Sequence, residues 1–289
     1  MPKPVLLVRA DGNEGDAEAL AALGLASVAD PYLSITGLDG EAALAAAGAL
    51  LADLDSLGRG DWLIATSLNG LKFWGMAAWQ LTGRSAVAES MAAARSRGVR
   101  FAAIGAATAQ KYSQFGIDVD FVPTESYGEA LAAQLIQFAG TDETPRALIP
   151  AGNLAMKTLN DALTAAGWSV TSHVIYQTAA VAEKPASVAG VAAGEYSAVL
   201  FRSPSAAKAF AQWNKVVAGE QSAAASLPVV CGGRTTAQSA QDLGLNVVAI
   251  ASDTTPAGIA RAIFETVGGE IAAAEPAPAT AGPTTQGAN

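Results

Sequence analysis

The sequence contains little of the chemistry on which most enzyme active sites depend. Its 289 residues include one cysteine, Cys231, and one histidine, His173. One thiol cannot form an internal disulfide bond or a multi-thiolate zinc site, and one imidazole leaves few ways to build a metal site or a Ser-His-Asp triad. These two scarcities exclude many classes of enzyme, and we expect Cys231 to be a small buried core residue.

Charged residues, and basic residues above all, are also scarce. The chain has 17 Lys and Arg residues against 26 Asp and Glu residues, which gives a net charge of −9. This acidic balance argues against nucleic acid or an anionic membrane as a partner, but it leaves room for a local anion site. The hydrophobic share of 51% is that of a globular protein, and the length suits two ordinary α/β domains or one large one.

Long hydrophobic runs are absent as well. The longest, residues 42–52, is rich in alanine and falls far short of the roughly 18 residues that span a bilayer. The four apolar residues before Arg9 are too few for the core of a signal peptide. We therefore expect a soluble, cytoplasmic protein, which we also expect to be a monomer. Residues 270–289 are predicted to form a disordered tail, because they are rich in Ala, Pro, Thr and Gly.

Short apolar runs alternate with segments of helical apolar spacing along the chain, and this alternation predicts an α/β fold with parallel sheets covered by helices. Asp61, Asp118 and Asp120 lie at the entry ends of strands and are expected to be turn or solvent residues. The predicted strands are residues 5–9, 26–32, 62–66, 100–104, 119–122, 147–150, 168–174, 197–201, 228–232 and 246–250.

Parts of the chain match each other in an altered order. Two identities, at an offset of 136, relate Ser67 and Lys72 to Ser203 and Lys208. A weaker match has an offset of 143. Among the matched segments, this one comes first in one half of the chain and last in the other. The longest match has a constant offset of 128 and pairs Gly105, Thr108, Ala109, Gln110, Gly116 and Val119 with Gly233, Thr236, Ala237, Gln238, Gly244 and Val247.

This permuted repeat predicts two similar flavodoxin-like domains with parallel sheets, one inserted into the other. The outer domain is expected to contain residues 1–35 and 178–269, and the inserted domain residues 38–173. Two strands, near Leu33–Thr36 and Ile175–Thr178, would link the domains, with a cleft between them. A two-strand linker of this kind permits hinge motion.

Hydroxyl side chains follow several predicted strands at the point where a helix begins. Ser and Thr are good helix N-caps, and helix N-termini present free N–H groups and partial positive charge to carboxylates or phosphates. Since ligands of open α/β sheets lie beyond the carboxyl ends of the strands, these positions predict an anion-binding cleft. Each position alone is equally consistent with a simple cap. The candidates are Ser67, Thr108, Ser203, Ser205 and Thr236.

Four basic residues lie near these turns. Arg9 ends the first predicted strand, Lys157 follows a Gly-Asn turn, and Arg202 and Arg234 follow two later strands. Each is either an anion ligand or a solvated surface charge. Arg9 is the strongest candidate ligand, and Lys157 is a further candidate. The sequence has neither a GxxxxGK[ST] loop nor a GxGxxG motif, so it carries no specific nucleotide signature.

Tyr176 lies in the second predicted linking strand. A phenol at that point would face the cleft, where it can donate a hydrogen bond or act as a general acid, although its reference pKa of about 10 makes it a weak proton donor. The alternative is an interfacial aromatic residue that packs the linker with its hydroxyl in water.

The order of these motifs resembles the uroporphyrinogen-III synthase family over residues 4–268. The resemblance rests on VLLVRA, DWLIATSLNGLKFW, FAAIGAATAQKYSQFGIDVDFVP, ALIPAGN, VIYQT, AVLFRSPSAAKAF and VVCGGRTTAQSAQDLGLNVV. The sequence departs from the family at Arg202, where a Thr is usual. The resemblance implies that Tyr176 assists departure of the substrate hydroxyl, and that the substrate contacts include Arg9, Ser67, Thr108, Ser203 and Thr236.

The resemblance also implies a reaction. The family converts hydroxymethylbilane, a linear tetrapyrrole with eight carboxylates, into uroporphyrinogen III with loss of water and inversion of the last pyrrole ring. Such an enzyme mainly holds a reactive chain in one geometry, and it needs no metal and no cofactor. A two-domain protein that binds a small carboxylate without chemistry is the alternative, and a glycosyltransferase-like enzyme lacks an obvious nucleotide site.

Overall fold

The computed structural model describes residues 3–125, 127–140, 144–154 and 157–267, so the predicted tail at 270–289 lies outside the described residues. None of the described helices is long and apolar enough to cross a membrane. The elements, in chain order, are β1 (Val5–Leu7), α1 (Glu14–Ala22), β2 (Ser27–Ala29), β3 (Leu33–Gly37), α2 (Gly40–Ser56), β4 (Trp62–Ala65), α3 (Leu68–Thr82), α4 (Ala86–Ser96), β5 (Arg100–Ala103), α5 (Ala106–Ser113), α6 (Gly128–Ala139), β6 (Arg146–Gly152), α7 (Lys157–Ala165), β7 (Ser169–Ala180), α8 (Ser187–Ala192), β8 (Ala198–Phe201), α9 (Pro204–Trp213), α10 (Ala223–Ser226), β9 (Val229–Cys231), α11 (Arg234–Asp242), β10 (Val247–Ile250) and α12 (Pro256–Val267).

The chain divides into two compact units, each of which contains one five-stranded sheet. One unit is formed by the residues up to Leu33 together with those from Ala180 onward, and the other is Ser34–Ala179. The chain passes between the units within β3 and at the end of β7. The domain bounds predicted from the sequence, 1–35 with 178–269 and 38–173, remain a prediction.

In the unit Ser34–Ala179 the strand order is β3-β7-β6-β4-β5, and β7, β6, β4 and β5 pair in parallel. All four residues of β4 are buried, and they alternate between two cores because successive side chains of a strand point to opposite faces. Leu63 joins a core with Trp74, and Trp62 joins a second core with Leu131. Helices therefore cover both faces of this sheet.

In the other unit the strand order is β2-β1-β8-β9-β10, and all of these neighbours pair in parallel. Strand β1 alternates in the same way as β4. Leu6 packs in a core with Phe201 and Phe210, whereas Val5 packs on the opposite face in a core with Ile259. The sheet is again buried on both faces, as the near-continuous apolar runs of its strands require. Both units are thus mixed α/β structures with predominantly parallel sheets.

Residues matched by the repeat occupy similar positions in the two units. Trp74 and Phe210, which are 136 positions apart like Ser67 and Ser203, are both fully buried. Gly116 and Gly244 both follow a helix with positive φ, 74° and 79°, a conformation that glycine adopts at little cost. The strand orders correspond too. The order β7-β6-β4-β5 in one unit matches β2-β1-β8-β9 in the other. Phe121, which bridges to Ala102 of β5, takes the place that β10 has beside β9.

Two predictions from the sequence need correction. The run 119–122 is not a strand, since only Phe121 makes an isolated bridge to β5. Asp61 is buried rather than solvated, and it accepts hydrogen bonds from the amide and guanidinium of Arg146. Asp120 is exposed, as predicted, and it also accepts hydrogen bonds from Arg95 and from the amide of Phe101. These carboxylates fasten the amino ends of strands to their neighbours.

Candidate active site

Helices begin at the carboxyl edge of both sheets. Because each strand leads directly into a helix, α3, α5 and α7 begin beside the carboxyl ends of β4, β5 and β6, and α1, α9, α11 and α12 begin beside those of β1, β8, β9 and β10. The first N–H groups of such helices lack intrahelical partners and carry partial positive charge. Each edge is therefore suited to bind anions.

Ser67 and Ser203 are the N-caps of α3 and α9, as predicted. Ser67 Oγ accepts a hydrogen bond from Asn69 N at 3.1 Å, and Ser203 Oγ accepts one from Ala206 N at 3.3 Å. Both residues have extended backbone conformations, with φ of −162° and −152°. Ser205 Oγ lies 3.0 Å from Ser203 Oγ, so two hydroxyls lie together at the start of α9.

Thr108 and Thr236 lie inside their helices and are not N-caps, which corrects the cap role predicted from the sequence. Gly105 and Gly233 occupy the N-cap positions of α5 and α11. The backbone is extended at each glycine and the helix begins at the next residue, so the threonine is the third residue of the helix. Both threonines are buried, with 4% and 5% exposure. Neither hydroxyl has a hydrogen-bond partner within the part of the chain that the structure describes, which leaves both able to bind a ligand.

The two predicted basic contacts have different surroundings. Arg9 follows β1, and its Nη1 donates a hydrogen bond to Gly12 O at 3.2 Å. Asn13 Nδ2 donates to Arg9 O at 3.0 Å, which anchors the backbone of the turn before α1. Lys157 is the exposed first residue of α7, at the carboxyl edge of the other sheet.

Tyr176 is fixed by an aromatic neighbour in the same unit. Its ring stacks on Phe73 of α3, with the ring centroids 5.9 Å apart and the planes 25° from parallel. The phenol hydroxyl has no hydrogen-bond partner among the described residues. The stacking contact joins the strand of Tyr176 to the helix that Ser67 caps.

The backbone of β6 fixes the other side of the Tyr176 ring. Gly152, the last residue of β6, pairs with Tyr176 at an irregularity in the register. A Cβ on Gly152 would lie 2.5 Å from Tyr176 Cζ and 2.9 Å from its hydroxyl oxygen. The amide of Asn153 donates to Tyr176 O at 3.1 Å, and Thr178 N donates to Asn153 Oδ1 at 2.8 Å. The phenol therefore lies over the carboxyl end of β6.

The two rarest side chains of the sequence do not take part in this arrangement. His173 Nε2 lies 2.6 Å from Asp53 Oδ2, a hydrogen bond that joins β7 to α2. Cys231 is buried in β9, as predicted, and burial raises the pKa of its thiol to about 12. A thiol with so high a pKa is a poor nucleophile.

The predicted site residues thus fall into two groups, one at each carboxyl edge. Sequence reasoning missed two residues that position Tyr176, namely Phe73 and Asn153. The AGN segment after a buried strand indicated a turn but not the support of Tyr176. The unit Ser34–Ala179 contains Ser67, Thr108, Lys157 and Tyr176, and the other unit contains Arg9, Ser203, Ser205 and Thr236.

Comparison with known proteins identifies the family. A family model described as Uroporphyrinogen-III synthase HemD matches residues 15–261. The chain belongs to the uroporphyrinogen-III synthase family. It is therefore a cyclising lyase of tetrapyrrole biosynthesis whose family substrate is hydroxymethylbilane. The alternative of a binding protein without catalytic activity is not favoured.

Solved structures of this family have the same fold. A mutant uroporphyrinogen III synthase from the extremely thermophilic bacterium Thermus thermophilus is 15% identical, with a TM-score of 0.57 over 92% of this chain and 99% of that one. The uroporphyrinogen-III synthetase from Helicobacter pylori is also 15% identical, with a TM-score of 0.57 over 91% of this chain and 99% of that one. At this identity the likeness shows the fold alone. No curated protein matches the sequence significantly.

Proposed function

We propose that this member of the family binds hydroxymethylbilane through the carboxyl edges of both sheets, with Tyr176 as the catalytic residue. The substrate contacts would be Arg9, Ser67, Thr108, Lys157, Ser203, Ser205 and Thr236. The observation that carries the proposal is the fixed position of the Tyr176 phenol, which lies over Gly152 and stacks on Phe73 while its hydroxyl has no partner in the described part of the protein.

The proposed role of Tyr176 is to assist the first step. Its phenol gives a proton to the terminal hydroxyl of the substrate as the C–O bond breaks, so the hydroxyl leaves as water, and the adjacent pyrrole N–H then returns a proton to the phenolate. The product is an electrophilic azafulvene. General acid assistance of this kind contributes at most a few orders of magnitude, and a weak acid such as tyrosine contributes less. Such modest help suffices because the leaving group departs readily from this substrate.

The remaining steps depend on the shape in which the substrate is held. The far pyrrole ring attacks the azafulvene through its substituted carbon, which forms a C–C bond and a spiro intermediate. The C–C bond that joined this carbon to the preceding methylene then breaks, the methylene bonds to the unsubstituted α-carbon of the same ring, and that carbon loses its proton, so the last ring is inverted. Without the enzyme the substrate closes uninverted. Holding several carboxylates at helix N-termini selects the conformer that leads to inversion.

We also infer the finer organisation of the molecule. The corresponding strand orders of the two sheets support two flavodoxin-like domains of permuted order, since the order β2-β1-β8-β9-β10 is that of flavodoxin-like folds. The cleft between the domains, the two-strand linker and hinge motion remain predictions. We further propose that the protein acts as a monomer in the cytoplasm, and sedimentation of a dimer at low concentration would contradict the monomer.

Freshly prepared hydroxymethylbilane tests the proposed function directly. The protein should produce uroporphyrinogen III as the main isomer, at a rate above that of spontaneous closure. Isomers I and III are separated after oxidation to the porphyrins. Production of isomer I alone, at the spontaneous rate, would remove the proposal.

A further inference from the structure

Arg202 is held by two partners at the carboxyl end of β8. Its Nη1 donates to Asp16 Oδ1 at 2.6 Å, and its Nη2 donates to the carbonyl oxygen of Thr254 at 2.5 Å. Asp16 lies in the first turn of α1, and Thr254 lies in the turn before α12. The Arg202 guanidinium therefore joins the end of β8 to the first turn of α1 and to the turn before α12.

The ion pair is largely removed from water. The Asp16 side chain is 1% exposed and that of Arg202 is 19% exposed. Burial lowers the pKa of Arg202, the carboxylate of Asp16 opposes this shift, and the charge of the neighbouring Arg9 adds to it. Since Asp16 neutralises Arg202, the guanidinium available to a ligand at this edge is that of Arg9, which has no carboxylate partner among the described residues.

The surroundings of Asp16 require a cation at this position. Asp16 Oδ2 and Asn13 Oδ1 are both buried and have no hydrogen-bond partner in the described part of the chain. Besides Asp16 Oδ1, which Arg202 contacts, the start of α1 thus holds two more buried acceptor atoms. Removing one member of a buried ion pair leaves an uncompensated buried charge, which strongly destabilises a folded protein.

Arg202 also borders two helix starts that belong to the proposed site. Ser203 and Ser205 follow it directly, and both hydroxyls lie at the start of α9. The Cα and Cγ atoms of Arg202 each lie 3.7 Å from the point where a Cβ on Gly232 would be. Gly232 precedes Gly233, the N-cap of α11. A shift of the Arg202 backbone would therefore displace Ser203 at the beginning of α9, and Gly232, which leads into α11, lies beside it.

We propose that Asp16 and Arg202 form a positioning pair for the anion-binding edge of this unit, and that Arg202 is not itself a ligand of a substrate carboxylate. The pair fixes Ser203, Ser205 and the N-terminus of α11, while Arg9 supplies the accessible positive charge. This inference rests on the proposed function. It also explains why arginine is accommodated at position 202, since its partner Asp16 is available in α1.

Three variants distinguish a positioning pair from a ligand: Asp16→Asn, Arg202→Gln and the double variant. If Arg202 were a ligand, Asp16→Asn would release its charge and leave KM for hydroxymethylbilane unchanged or lower. A positioning pair predicts that both single variants raise KM by roughly tenfold to a hundredfold, because a small misplacement of binding groups is costly. It also predicts that the double variant is no worse than either single variant. A normal or lower KM for Asp16→Asn would overturn the proposal.

The salt dependence of KM provides a second test. Loss of a residue with a purely structural role would not change this dependence. A cation that contacts the substrate carboxylates contributes to this dependence, because salt screens the contact. Arg9→Gln should therefore weaken the dependence, whereas the double variant should retain that of the unmodified protein. A dependence weakened in the double variant to the level of Arg9→Gln would overturn the proposal.

Separate controls test whether each variant folds and whether the proposed function holds. The double variant leaves no uncompensated charge, so it should remain folded even if a single variant does not, and its salt dependence then decides alone. Circular dichroism melting of each variant shows which ones can be compared. If the unmodified protein makes only isomer I, the proposed function fails. If it makes isomer III and Asp16→Asn has a normal KM, only the positioning pair fails.

Discussion

At the scale of single residues, Tyr176 is held by neighbours that share its unit. The ring has Phe73 as a stacking partner at 5.9 Å and the backbone of Gly152 close to its hydroxyl end. A side chain fixed by packing loses little further freedom when a substrate binds, so its hydroxyl is available in one place. The sequence placed Tyr176 in a linking strand, but only the structure shows what holds its ring.

Removing the phenol hydroxyl tests the catalytic role. Tyr176→Phe should slow turnover by about tenfold to a hundredfold, at the low end of general acid effects. The ring and its stacking on Phe73 are preserved, so the melting temperature should not change. Tyr196→Phe, in the other unit, is the matched control and should keep the full rate. An unchanged rate in Tyr176→Phe would return Tyr176 to a structural role.

Adding one methyl group at Gly152 tests the position of the phenol. The new Cβ would lie 2.5 Å from Tyr176 Cζ, so the ring must move. We expect kcat in Gly152→Ala to fall by at least about tenfold, since small displacements of a catalytic group are costly. Gly58→Ala is the control, because a Cβ there has open space around it. Equal kcat values for the two variants would show that the fixed ring position is unimportant.

At the scale of elements, buried carboxylates tie the amino ends of strands together. Asp61 precedes β4 and accepts hydrogen bonds from the amide of Gly58 and from Arg146 at the start of β6. Burial alone would raise the pKa of Asp61, but the hydrogen bonds from Arg146 and from the Gly58 amide outweigh it and hold the pKa below its ordinary value. The ionised form is therefore part of the folded structure.

The pH dependence of unfolding tests this contact. Because the pKa of Asp61 is lower in the folded than in the unfolded protein, its contribution is present above the unfolded value of about 3.9 and is lost as the pH falls through the folded value. Asp61→Asn should lower the free energy of unfolding at pH 7 by about 1–3 kcal/mol. Below about pH 4 the difference should shrink. Asp55→Asn, at an exposed position, is the control, and a difference that is constant with pH would contradict the account.

The elements were more predictable from the sequence than their contacts. Runs such as Trp62–Ala65 are buried on both faces, so their apolar composition alone identified them as strands. The strand predicted at 119–122 was wrong, because these residues make only one isolated bridge, at Phe121, and a single bridge does not require an extended strand. The ion pairs of Asp61 and Asp16 could not be predicted from the sequence, because their partners lie 85 and 186 positions away in the chain.

At the scale of the whole molecule, two sheets present equivalent helix starts. Ser67 and Ser203 cap α3 and α9, and Thr108 and Thr236 occupy the third positions of α5 and α11. The sequence repeat predicted these equivalences because it preserves glycine, serine and threonine at the same turns. It could not predict that the threonines lie inside the helices, since the cap position depends on the backbone of Gly105 and Gly233.

The central claim is that both carboxyl edges hold the substrate, and the measurement that tests it most directly compares Thr108→Val with Thr236→Val. Valine keeps the shape of the buried side chain, and neither hydroxyl has a protein partner among the described residues, so both variants should remain folded. If each hydroxyl binds a substrate carboxylate, each variant should lose roughly tenfold to a hundredfold in kcat/KM, and the share of isomer III should fall. Thr164→Val, at an exposed site in α7, should behave like the unmodified protein. If either Thr108→Val or Thr236→Val matched that control in both rate and isomer ratio, the claim that both edges hold the substrate would be wrong.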